Sequence, residues 1–377
     1  MIPKSLCIYP WVHAAVDING LIRPCCRFVG NKGLPDISEG MEKGWKDGEF
    51  YRTLRQKMLN NEQIDGCKKC YAEEASSGKS MRTNALDDWF YDYDRTIEDL
   101  TLQPLDLQYV EFAFSHHCNL ACRMCNESYS SKWLAIKRHT NTPLEEEVFE
   151  DLEFTEDWFN TNLSELTEVK FVGGEPLLAK QHVQFLTKLL DQKVKLNKLH
   201  FYYHTNATVT PNQKVLDFWK QLKKIDVVLS IDGYGKRNEI LRPGNYVWQD
   251  IVNTIEFYQN LIKQGYNINL RVHTVVTRYN IMHLDELILW LEQKGIDEYS
   301  MDIARRPAQL AIVNMSKEQK AEAIEYLNKS NEVLVEYKNR IMSLLEKDHE
   351  VLVDENIILE KEKIIDDYFN QDIREVL

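Results

Sequence analysis

Three cysteines in one short segment are the residues of this chain best suited to chemistry. They lie in the run Cys118-Asn-Leu-Ala-Cys122-Arg-Met-Cys125, directly after a predicted strand. Thiolates in such a group bind iron–sulfur clusters or zinc. Three ligands would leave the fourth iron of a cubane open, and an open site suits catalysis because structural metal sites are closed. From the spacing alone, a zinc site completed by His116 or His117, or thiols without metal, remains an alternative.

A second set of cysteines lies near the start of the chain. Cys7 and Cys25 flank Gly20, and Cys67 and Cys70 follow as a Cys-x2-Cys pair. An Asn-Gly turn ending at Gly20, between two alternating runs, predicts a β-hairpin that would fold Cys7 toward Cys25. Four thiolates would close either a zinc site or a [4Fe–4S] site, and the spacing does not distinguish the two.

Alternating strands and helices must hold the first group of cysteines in place. In residues 107–305, β-rich runs alternate with amphipathic helical patterns at the spacing of βαβ units, which predicts a parallel α/β sheet. Six such strands are too few for an eight-unit barrel, so an open sheet or a partial barrel is expected. The predicted strands are 109–115, 169–172, 199–204, 227–231, 269–276 and 298–303, and the predicted helices are 128–139, 181–192, 212–223, 248–264 and 284–294.

Changes in composition along the chain predict three domains. They are 1–106, which contains the N-terminal cysteines; 107–305, the α/β core; and 306–377, an acidic helical extension. A helix is predicted over 50–60, and residues 71–83 are interpreted as a linker rather than a substrate site. Ser316 and Gln319 form a capping-box pattern at the start of the extension. We interpret the extension as solvated helices packed on the core, with partner docking or substrate covering as the alternative.

Composition excludes several classes of protein. With 44% hydrophobic and 28% charged residues, the 377-residue chain has the make-up of a globular protein rather than a disordered one. Its net charge of −13 disfavours non-specific nucleic-acid binding, which needs a clustered positive surface. No apolar run reaches the ~18 residues of a membrane span, and the start lacks the features of a signal peptide. A cytoplasmic location is therefore predicted, where thiols bind metal more often than they form disulfides.

The cysteine spacing and a glycine motif resemble those of a known family. Cys-x3-Cys-x2-Cys after a strand is typical of the radical S-adenosylmethionine (radical SAM) superfamily. The run Phe171-Val-Gly-Gly-Glu-Pro176, at the end of the second predicted strand, resembles that family's GGE motif, whose backbone and glutamate hold the methionine amino group. The run His204-Thr-Asn206-Ala resembles its Thr-Asn-Gly, with Ala207 in place of the glycine.

Two further stretches, Ser230-Ile-Asp232-Gly and Arg242-Pro-Gly, resemble sequences common among members that modify peptides. The resemblance covers about 107–305 and implies an S-adenosylmethionine site. The residues that it implies at this site are Gly173, Gly174, Glu175, Pro176, Asn206, Ser230, Asp232 and Arg242. One departure is Met124, which stands where the family usually has an aromatic residue against the adenine, although a polarizable methionine can also pack on a ring.

The resemblance also implies the chemistry. Cys118, Cys122 and Cys125 would hold a [4Fe–4S] cluster whose open iron chelates S-adenosylmethionine. An electron from the reduced cluster would cleave that cofactor to a 5′-deoxyadenosyl radical, which abstracts a hydrogen atom from the substrate. The implied protein is a radical SAM enzyme acting on a peptide or protein, with an electron donor such as flavodoxin or ferredoxin as a partner.

Alternatives to this implied function are the same chemistry on a carbohydrate or nucleoside-like small molecule, or an iron–sulfur scaffold without catalysis. Membrane partners are not expected, and a nucleic-acid partner is disfavoured by the charge. The sequence contains no constellation that identifies an acid, a base or a nucleophile, so the catalytic side chains are not predicted.

The N-terminal cysteines carry a second resemblance. Cys-x12-Gly-x4-Cys resembles the opening of twitch and SPASM modules, which bind auxiliary iron–sulfur clusters and usually follow the radical SAM core. With only five cysteines available, the shorter twitch type with one [4Fe–4S] cluster is implied, bound by Cys7, Cys25, Cys67 and Cys70. Cys25 is preferred over Cys26 because it keeps the Gly-x4-Cys spacing. The implied fold is α/β: a partial (βα)6 radical SAM barrel with a small N-terminal twitch domain and a C-terminal helical extension.

Overall fold

The computed structural model of the chain describes residues 2–144, 148, 155, 158, 162–192, 194–330, 335–346 and 355–376. Its strands are β1 His13–Val16, β2 Ile22–Arg23, β3 Tyr109–Ala113, β4 Glu168–Val172, β5 His200–Thr205, β6 Lys224–Ser230, β7 Ile268–Val276 and β8 Tyr299–Ile303. Its α-helices are α1 Tyr9–Val12, α2 Glu49–Leu59, α3 Lys68–Ser77, α4 Met81–Leu86, α5 Ser131–His139, α6 Lys180–Asp191, α7 Gln213–Trp219, α8 Lys236–Leu241, α9 Trp248–Lys263, α10 Leu284–Gln293, α11 Lys317–Lys329, α12 Val335–Leu345 and α13 Glu355–Phe369.

The chain divides into two compact units. Unit 1 comprises Met1–Ser115, Phe149–Tyr203 and Gln213–Ile225, and unit 2 comprises His116–Val148, His204–Asn212 and Asp226–Leu377. Strands β5 and β6 contribute residues to both units. The two units therefore interleave along the sequence.

Unit 1 is built on a sheet with the strand order β2–β1–β3–β4–β5. The predicted hairpin around Gly20 is confirmed, because β1 and β2 pair antiparallel and Gly20 has a φ of 81°. Strand β1 also pairs in parallel with β3, so the N-terminal hairpin extends the sheet, which the sequence did not indicate. Strands β3, β4 and β5 pair in parallel.

Side chains alternate across this sheet, as the period of two requires. Phe171 and Phe201 are fully buried on one face, where Phe185 of α6 packs against Phe171. The opposite face carries half-buried polar residues such as Lys170 and Tyr202. One face of the sheet is thus the core, and the other is polar.

Unit 2 contains β6, β7 and β8 in that order, and β7 and β8 pair in parallel. Alternate residues of β7 are buried from Ile268 to Val276. Val276 belongs to an apolar cluster that also includes Leu327 of α11 and Ile341 of α12, so these helices pack on the core. The capping box is confirmed: the Gln319 amide donates to Ser316 Oγ at 3.2 Å, and the Ser316 amide donates to Gln319 Oε1 at 3.0 Å.

The α/β class with a parallel sheet is confirmed, and each predicted strand and helix of the core occurs with ends shifted by a few residues. The stretch interpreted as a linker, 71–83, instead contributes to α3 and α4. Part of the predicted helical extension, residues 331–334, 347–354 and 377, lies outside the described residues. Among the helices described, none has the length and apolar content needed to cross a bilayer.

Candidate cofactor sites

The three-cysteine loop lies in unit 2, before α5, and backbone hydrogen bonds fix its path. The Ala121 amide donates to the Pro243 carbonyl at 2.8 Å, and the Arg123 amide donates to the Leu241 carbonyl at 2.9 Å. The adjacent residues Leu120 and Gly244 form an isolated antiparallel bridge. A Cβ on Gly244 would lie 2.2 Å from the Leu120 side chain, so glycine is needed for this close approach.

Helix α5 holds the other side of the loop. Its N-cap Ser130 accepts from the Trp133 amide at 3.2 Å and donates to the Leu120 carbonyl at 2.6 Å. Ser131 Oγ exchanges hydrogen bonds with the Cys118 amide and carbonyl, each at 3.1 Å. The Trp133 indole donates to the Cys122 carbonyl at 2.8 Å. Contacts with α5 and with residues 241–244 therefore hold the loop backbone in place.

The three thiols lie close to one another. Cys122 is buried and Cys118 and Cys125 are half-buried. Burial raises the pKa of the Cys125 thiol, and the neighbouring sulfurs of Cys122 and Cys118 raise it further. Burial also raises the pKa of Cys122, whereas the Arg242 guanidinium opposes that rise.

Two nitrogen donors point at these sulfurs. Arg242 Nη1 lies 3.7 Å from the Cys122 sulfur, and Asn206 Nδ2 lies 3.7 Å from the Cys118 sulfur. Asn206 also donates to Asn119 Oδ1 at 2.8 Å, which ties it to the cysteine loop. Hydrogen bonds of this kind to sulfur tune the potential of iron–sulfur clusters.

Asp232 orients the Arg242 guanidinium. The Nε atom of Arg242 donates to Asp232 Oδ2 at 2.6 Å, and both side chains are buried. The Val275 amide donates to the other carboxylate oxygen at 2.7 Å, and Asn280 Nδ2 donates to the Asp232 carbonyl at 2.8 Å. Burial alone would lower the pKa of Arg242, but the Asp232 carboxylate holds it above its usual value.

The predicted Asn206 and Ala207 lie just after β5. Ala207 adopts a φ of 64°, in the left-handed region where glycine is favoured, and it is fully buried. The Thr-Asn-Gly motif that this run resembles has a glycine at the position of Ala207. The left-handed backbone at Ala207 gives a physical reason for that glycine. Met124 packs against an apolar cluster that includes Ile240 and Tyr279. Ser230 ends β6, two residues before Asp232.

The Gly-Gly-Glu-Pro stretch lies in unit 1, directly after β4. Gly173 has a φ of 111°, and a Cβ there would lie 3.0 Å from the Ser115 carbonyl oxygen. The Gly174 amide donates to the same oxygen at 2.9 Å. Glu175 is buried, and its carboxylate accepts from the Leu177 amide at 3.2 Å. Pro176 begins the short 3₁₀ turn that follows.

The structure brings the four predicted N-terminal ligands together in unit 1. Cys7, Cys25, Cys67 and Cys70 line one pocket, together with Tyr9, Arg27, Phe28, Gly66, Met81 and Arg82. Burial, followed by the neighbouring Cys70 thiol, raises the pKa of Cys67 to about 12. Burial and then Cys67 also raise the pKa of Cys7. Metal binding here would have to displace protons, because the ligand form of cysteine is the thiolate.

Cys26 points elsewhere. It is not among the described residues that line the pocket, and it is an exposed residue. Its thiol lies near Glu111 and Lys170 on the sheet, which form an ion pair at 3.1 Å. Cys25 is thus the one of the two that lines the pocket, and its role as the cluster ligand stays a prediction.

Both thiol groups fit iron–sulfur clusters by their donor chemistry. Within the described ranges, no three His, Cys, Asp or Glu side chains converge tightly enough to hold one metal ion. A cubane spreads its ligands over separate irons, one cysteine each. The pocket offers four thiols, and the core loop offers three with N–H donors at two of them.

Comparison with known proteins identifies the family. The model of the radical SAM superfamily matches residues 112–291, and the model of the SPASM iron–sulfur cluster-binding domain matches residues 7–71. Residues 112–291 are therefore a radical SAM domain, and residues 7–71 are a SPASM domain. The radical SAM domain supports an enzyme that uses S-adenosylmethionine and a [4Fe–4S] cluster, and the SPASM domain implies auxiliary iron–sulfur binding.

The individual proteins that this chain resembles are distant from it. An uncharacterized protein of Methanocaldococcus jannaschii is 31% identical over 144 residues, which are 38% of this chain and 49% of that one. Native anSMEcpe with bound AdoMet is 16% identical with a TM-score of 0.41, covering 58% of this chain and 59% of that one. Streptococcus suis SuiB bound to S-adenosylmethionine is 14% identical with a TM-score of 0.40, covering 76% and 67%. The chain thus spans about half to two thirds of these relatives.

Sequence reasoning missed several polar residues of unit 2. His273 of β7 contacts Ser300 Oγ at 2.9 Å, and its ring lies 6.3 Å from that of His204. Asp302 Oδ2 lies 3.8 Å from His273 Nε2. The sequence feature that could have indicated these side chains is the polar residue at alternate positions of strands β5, β7 and β8. Arg123 was also missed, because an arginine between two motif cysteines has no recognisable signature.

Proposed function

We propose that this chain is a radical SAM enzyme that abstracts a hydrogen atom from a peptide or protein substrate. The observation that carries the proposal is the pair of N–H donors at two core thiols, Arg242 at Cys122 and Asn206 at Cys118. Donors and a cation at these sulfurs stabilise the thiolates of an anionic cluster. A chain that had lost the chemistry would have no need to keep a buried cation aimed at a cysteine.

The chain's own residues hold and orient the cofactors. Cys118, Cys122 and Cys125 would hold the core cluster, and the carboxylate of Glu175 would accept a hydrogen bond from the ammonium group of S-adenosylmethionine. The Leu177 amide at 3.2 Å keeps that carboxylate in place. When bound, the cluster and S-adenosylmethionine would supply the one-electron chemistry that hydrogen-atom abstraction needs. A flavodoxin or ferredoxin supplies the electron.

The N-terminal pocket would hold one auxiliary [4Fe–4S] cluster through Cys7, Cys25, Cys67 and Cys70, which all line it. Four thiolates close such a cluster, so no iron is left for a substrate. The cluster therefore serves electron transfer or the stability of the N-terminal residues. Arg82, which lines the pocket, donates to the Leu6 carbonyl at 2.5 Å and to Glu74 Oε1 at 2.9 Å, so it braces the chain next to Cys7.

Three features favour a peptide as the substrate class. The SPASM-type domain and the Arg242-Pro-Gly stretch both resemble those of peptide-modifying members. The polar side chains of His204, His273 and Ser300 in unit 2 offer donors and acceptors suited to amide groups. A carbohydrate or nucleoside-like compound is the competing substrate class.

The transfer of deuterium tests the substrate class. The anaerobically reconstituted protein is incubated with S-adenosylmethionine and a reductant, together with either the peptide fraction or the small-molecule fraction of cells grown on deuterated medium. Deuterium in 5′-deoxyadenosine from the peptide fraction alone is expected. Deuterium from the small-molecule fraction alone would contradict the peptide proposal, and the Glu175→Ala variant serves as the control for cofactor binding.

A further inference from the structure

The C-terminal helix α13 packs directly on the three-cysteine loop within unit 2. Ile365 is buried in one apolar cluster with Ala121 and Trp133, and Cys125 packs against the same cluster. The Lys132 ammonium lies 5.1 Å from the ring centroid of Tyr368 on α13. The helix is therefore part of the surroundings of the cysteines, although it lies more than two hundred residues later in the sequence.

A buried arginine links the loop to this helix. Arg123, between Cys122 and Met124, is 2% exposed, and its Nε donates to the Ile240 carbonyl at 2.7 Å. The other two nitrogens of its guanidinium donate to Glu362 and Asp366 of α13. Both ends of the guanidinium are thus occupied, one by the segment before Arg242 and the other by α13.

The two carboxylates compensate the charge of Arg123. The Arg123 side chain is 0% exposed, and those of Glu362 and Asp366 are 3% and 16% exposed. Burial raises the pKa of Glu362, while Arg123 and, more weakly, Arg278 oppose that rise. A buried guanidinium stripped of its carboxylates would be an uncompensated charge, which is strongly destabilising.

We propose that Glu362 and Asp366 are positioning residues for the core cluster, which act through Arg123 to hold the cysteine loop and to set the potential of the cluster. The inference rests on the proposed role of Cys118, Cys122 and Cys125 as ligands. Each carboxylate places a negative charge on Arg123, whose neighbour in the chain is the ligand Cys122. A negative charge near a cluster disfavours its reduced, more negative form, so α13 keeps the potential low.

The sign of the effect separates this role from a purely structural one. Neutralising Glu362 or Asp366 removes one negative charge from the surroundings of Arg123. The reduced cluster is then relatively more stable, and its potential becomes more positive. If α13 only packs on the loop, substitutions at Glu362 or Asp366 would lower the thermal stability of the protein but would not change the midpoint potential of the cluster.

The test compares Glu362→Gln and Asp366→Asn with Asp367→Asn. Asp367 lies on the same helix but is exposed and pairs with Lys363 at 2.7 Å, so it matches the charge change without contacting the loop. The core cluster is identified in electron paramagnetic resonance spectra as the reduced signal that changes when S-adenosylmethionine is added. Its midpoint potential is measured by redox titration, and the rate of iron loss to a chelator is measured in parallel.

Each of the two variants is expected to raise the potential by about 59 mV, a tenfold change in the ratio of reduced to oxidised cluster at a fixed potential. Iron loss is expected to be several-fold faster than in the Asp367→Asn control. Equal potentials in all three variants would overturn the proposal. If the Glu362→Gln variant does not fold, the potential of the Asp366→Asn variant tests the proposal, because Asp366 is less buried than Glu362. A wild-type protein without any signal that responds to S-adenosylmethionine would instead refute the proposed function.

Discussion

Arg242 joins Asp232 to Cys122, with its Nε 2.6 Å from the carboxylate and its Nη1 3.7 Å from the sulfur. The planar fork of a guanidinium allows both contacts at once, whereas a lysine could satisfy only one in this geometry. The Val275 amide fixes the second oxygen of Asp232 at 2.7 Å, so the cation faces Cys122 from a constrained position. A cation in this position stabilises a negatively charged sulfur at Cys122.

Removing that cation should make the core cluster harder to reduce. For Arg242→Gln we expect a more negative midpoint potential and roughly tenfold slower cleavage of S-adenosylmethionine, because a charge-assisted hydrogen bond is worth roughly 1.5–3 kcal/mol. Lys236→Gln, at an exposed position on helix α8, which precedes Arg242, is the matched control. Potentials and rates that are the same in both variants would show that Arg242 is only a structural ion-pair partner.

Glu175 should govern the affinity for S-adenosylmethionine. Its buried carboxylate has no role in the auxiliary pocket, so Glu175→Ala should weaken cofactor binding by roughly tenfold or more while iron content stays at the wild-type level. Equilibrium binding measured anaerobically on the reconstituted protein gives the result. Glu165→Ala, on an exposed residue of the same unit, controls for the loss of a carboxylate. Unchanged affinity would mean that 173–176 is only a turn.

The two adjacent cysteines allow a direct comparison. Cys25 lines the pocket with Cys7, Cys67 and Cys70, whereas Cys26 lies near Glu111. If two cubanes are bound, the wild type and Cys26→Ala should each contain about eight irons, and Cys25→Ala about four. Iron and sulfide analysis after reconstitution measures this. Eight irons in Cys25→Ala and four in Cys26→Ala would reverse the assignment.

The three-cysteine loop could be predicted because its spacing is local. Cys118 and Cys125 lie within one loop, and the strand before them and the Gly-Gly-Glu stretch after β4 have clear sequence patterns. The hairpin at Gly20 could likewise be predicted from its turn residues. In each case, the residues that define the feature are neighbours in the chain, so their types and spacing suffice.

Features that depend on distant contacts could not be predicted. The parallel pairing of β1 with β3 joins His13 to Tyr109, and no local pattern specifies that partner. The contact of Arg123 with Glu362 spans 239 positions, and a charged residue on an acidic helix looks solvated until its partner is known. His273 has the sequence pattern of a polar residue on the exposed face of a strand, because its contact with Ser300 of another strand is not visible in the sequence.

A buried histidine should make unit 1 sensitive to acid. His182 is 1% exposed and contacts the Tyr203 hydroxyl at 2.8 Å, and burial lowers its pKa to about 3. The unfolded chain binds a proton near its ordinary pKa of 6.5 while the folded chain does not, so the contribution is fully present above pH 6.5 and is lost as the pH falls toward 3.

Replacing His182 should therefore flatten the acid side of the stability profile. Between pH 6.5 and 5, the free energy of unfolding of His182→Gln should fall less steeply than that of the wild type, by up to ~1.4 kcal/mol per pH unit. Urea unfolding at matched pH values gives both slopes. His139→Gln, at an exposed histidine, should keep the wild-type slope. Parallel profiles for wild type and His182→Gln would show that His182 is not held neutral by the fold.

The central claim is that the three-cysteine loop supports reductive cleavage of S-adenosylmethionine, and the formation of 5′-deoxyadenosine tests it most directly. The anaerobically reconstituted protein is incubated with S-adenosylmethionine and dithionite and compared with the variant in which Cys118, Cys122 and Cys125 are all alanine. We predict 5′-deoxyadenosine from the wild type and none from the triple variant, which should still retain the auxiliary cluster. Its absence from a wild-type protein that carries both clusters would contradict the account.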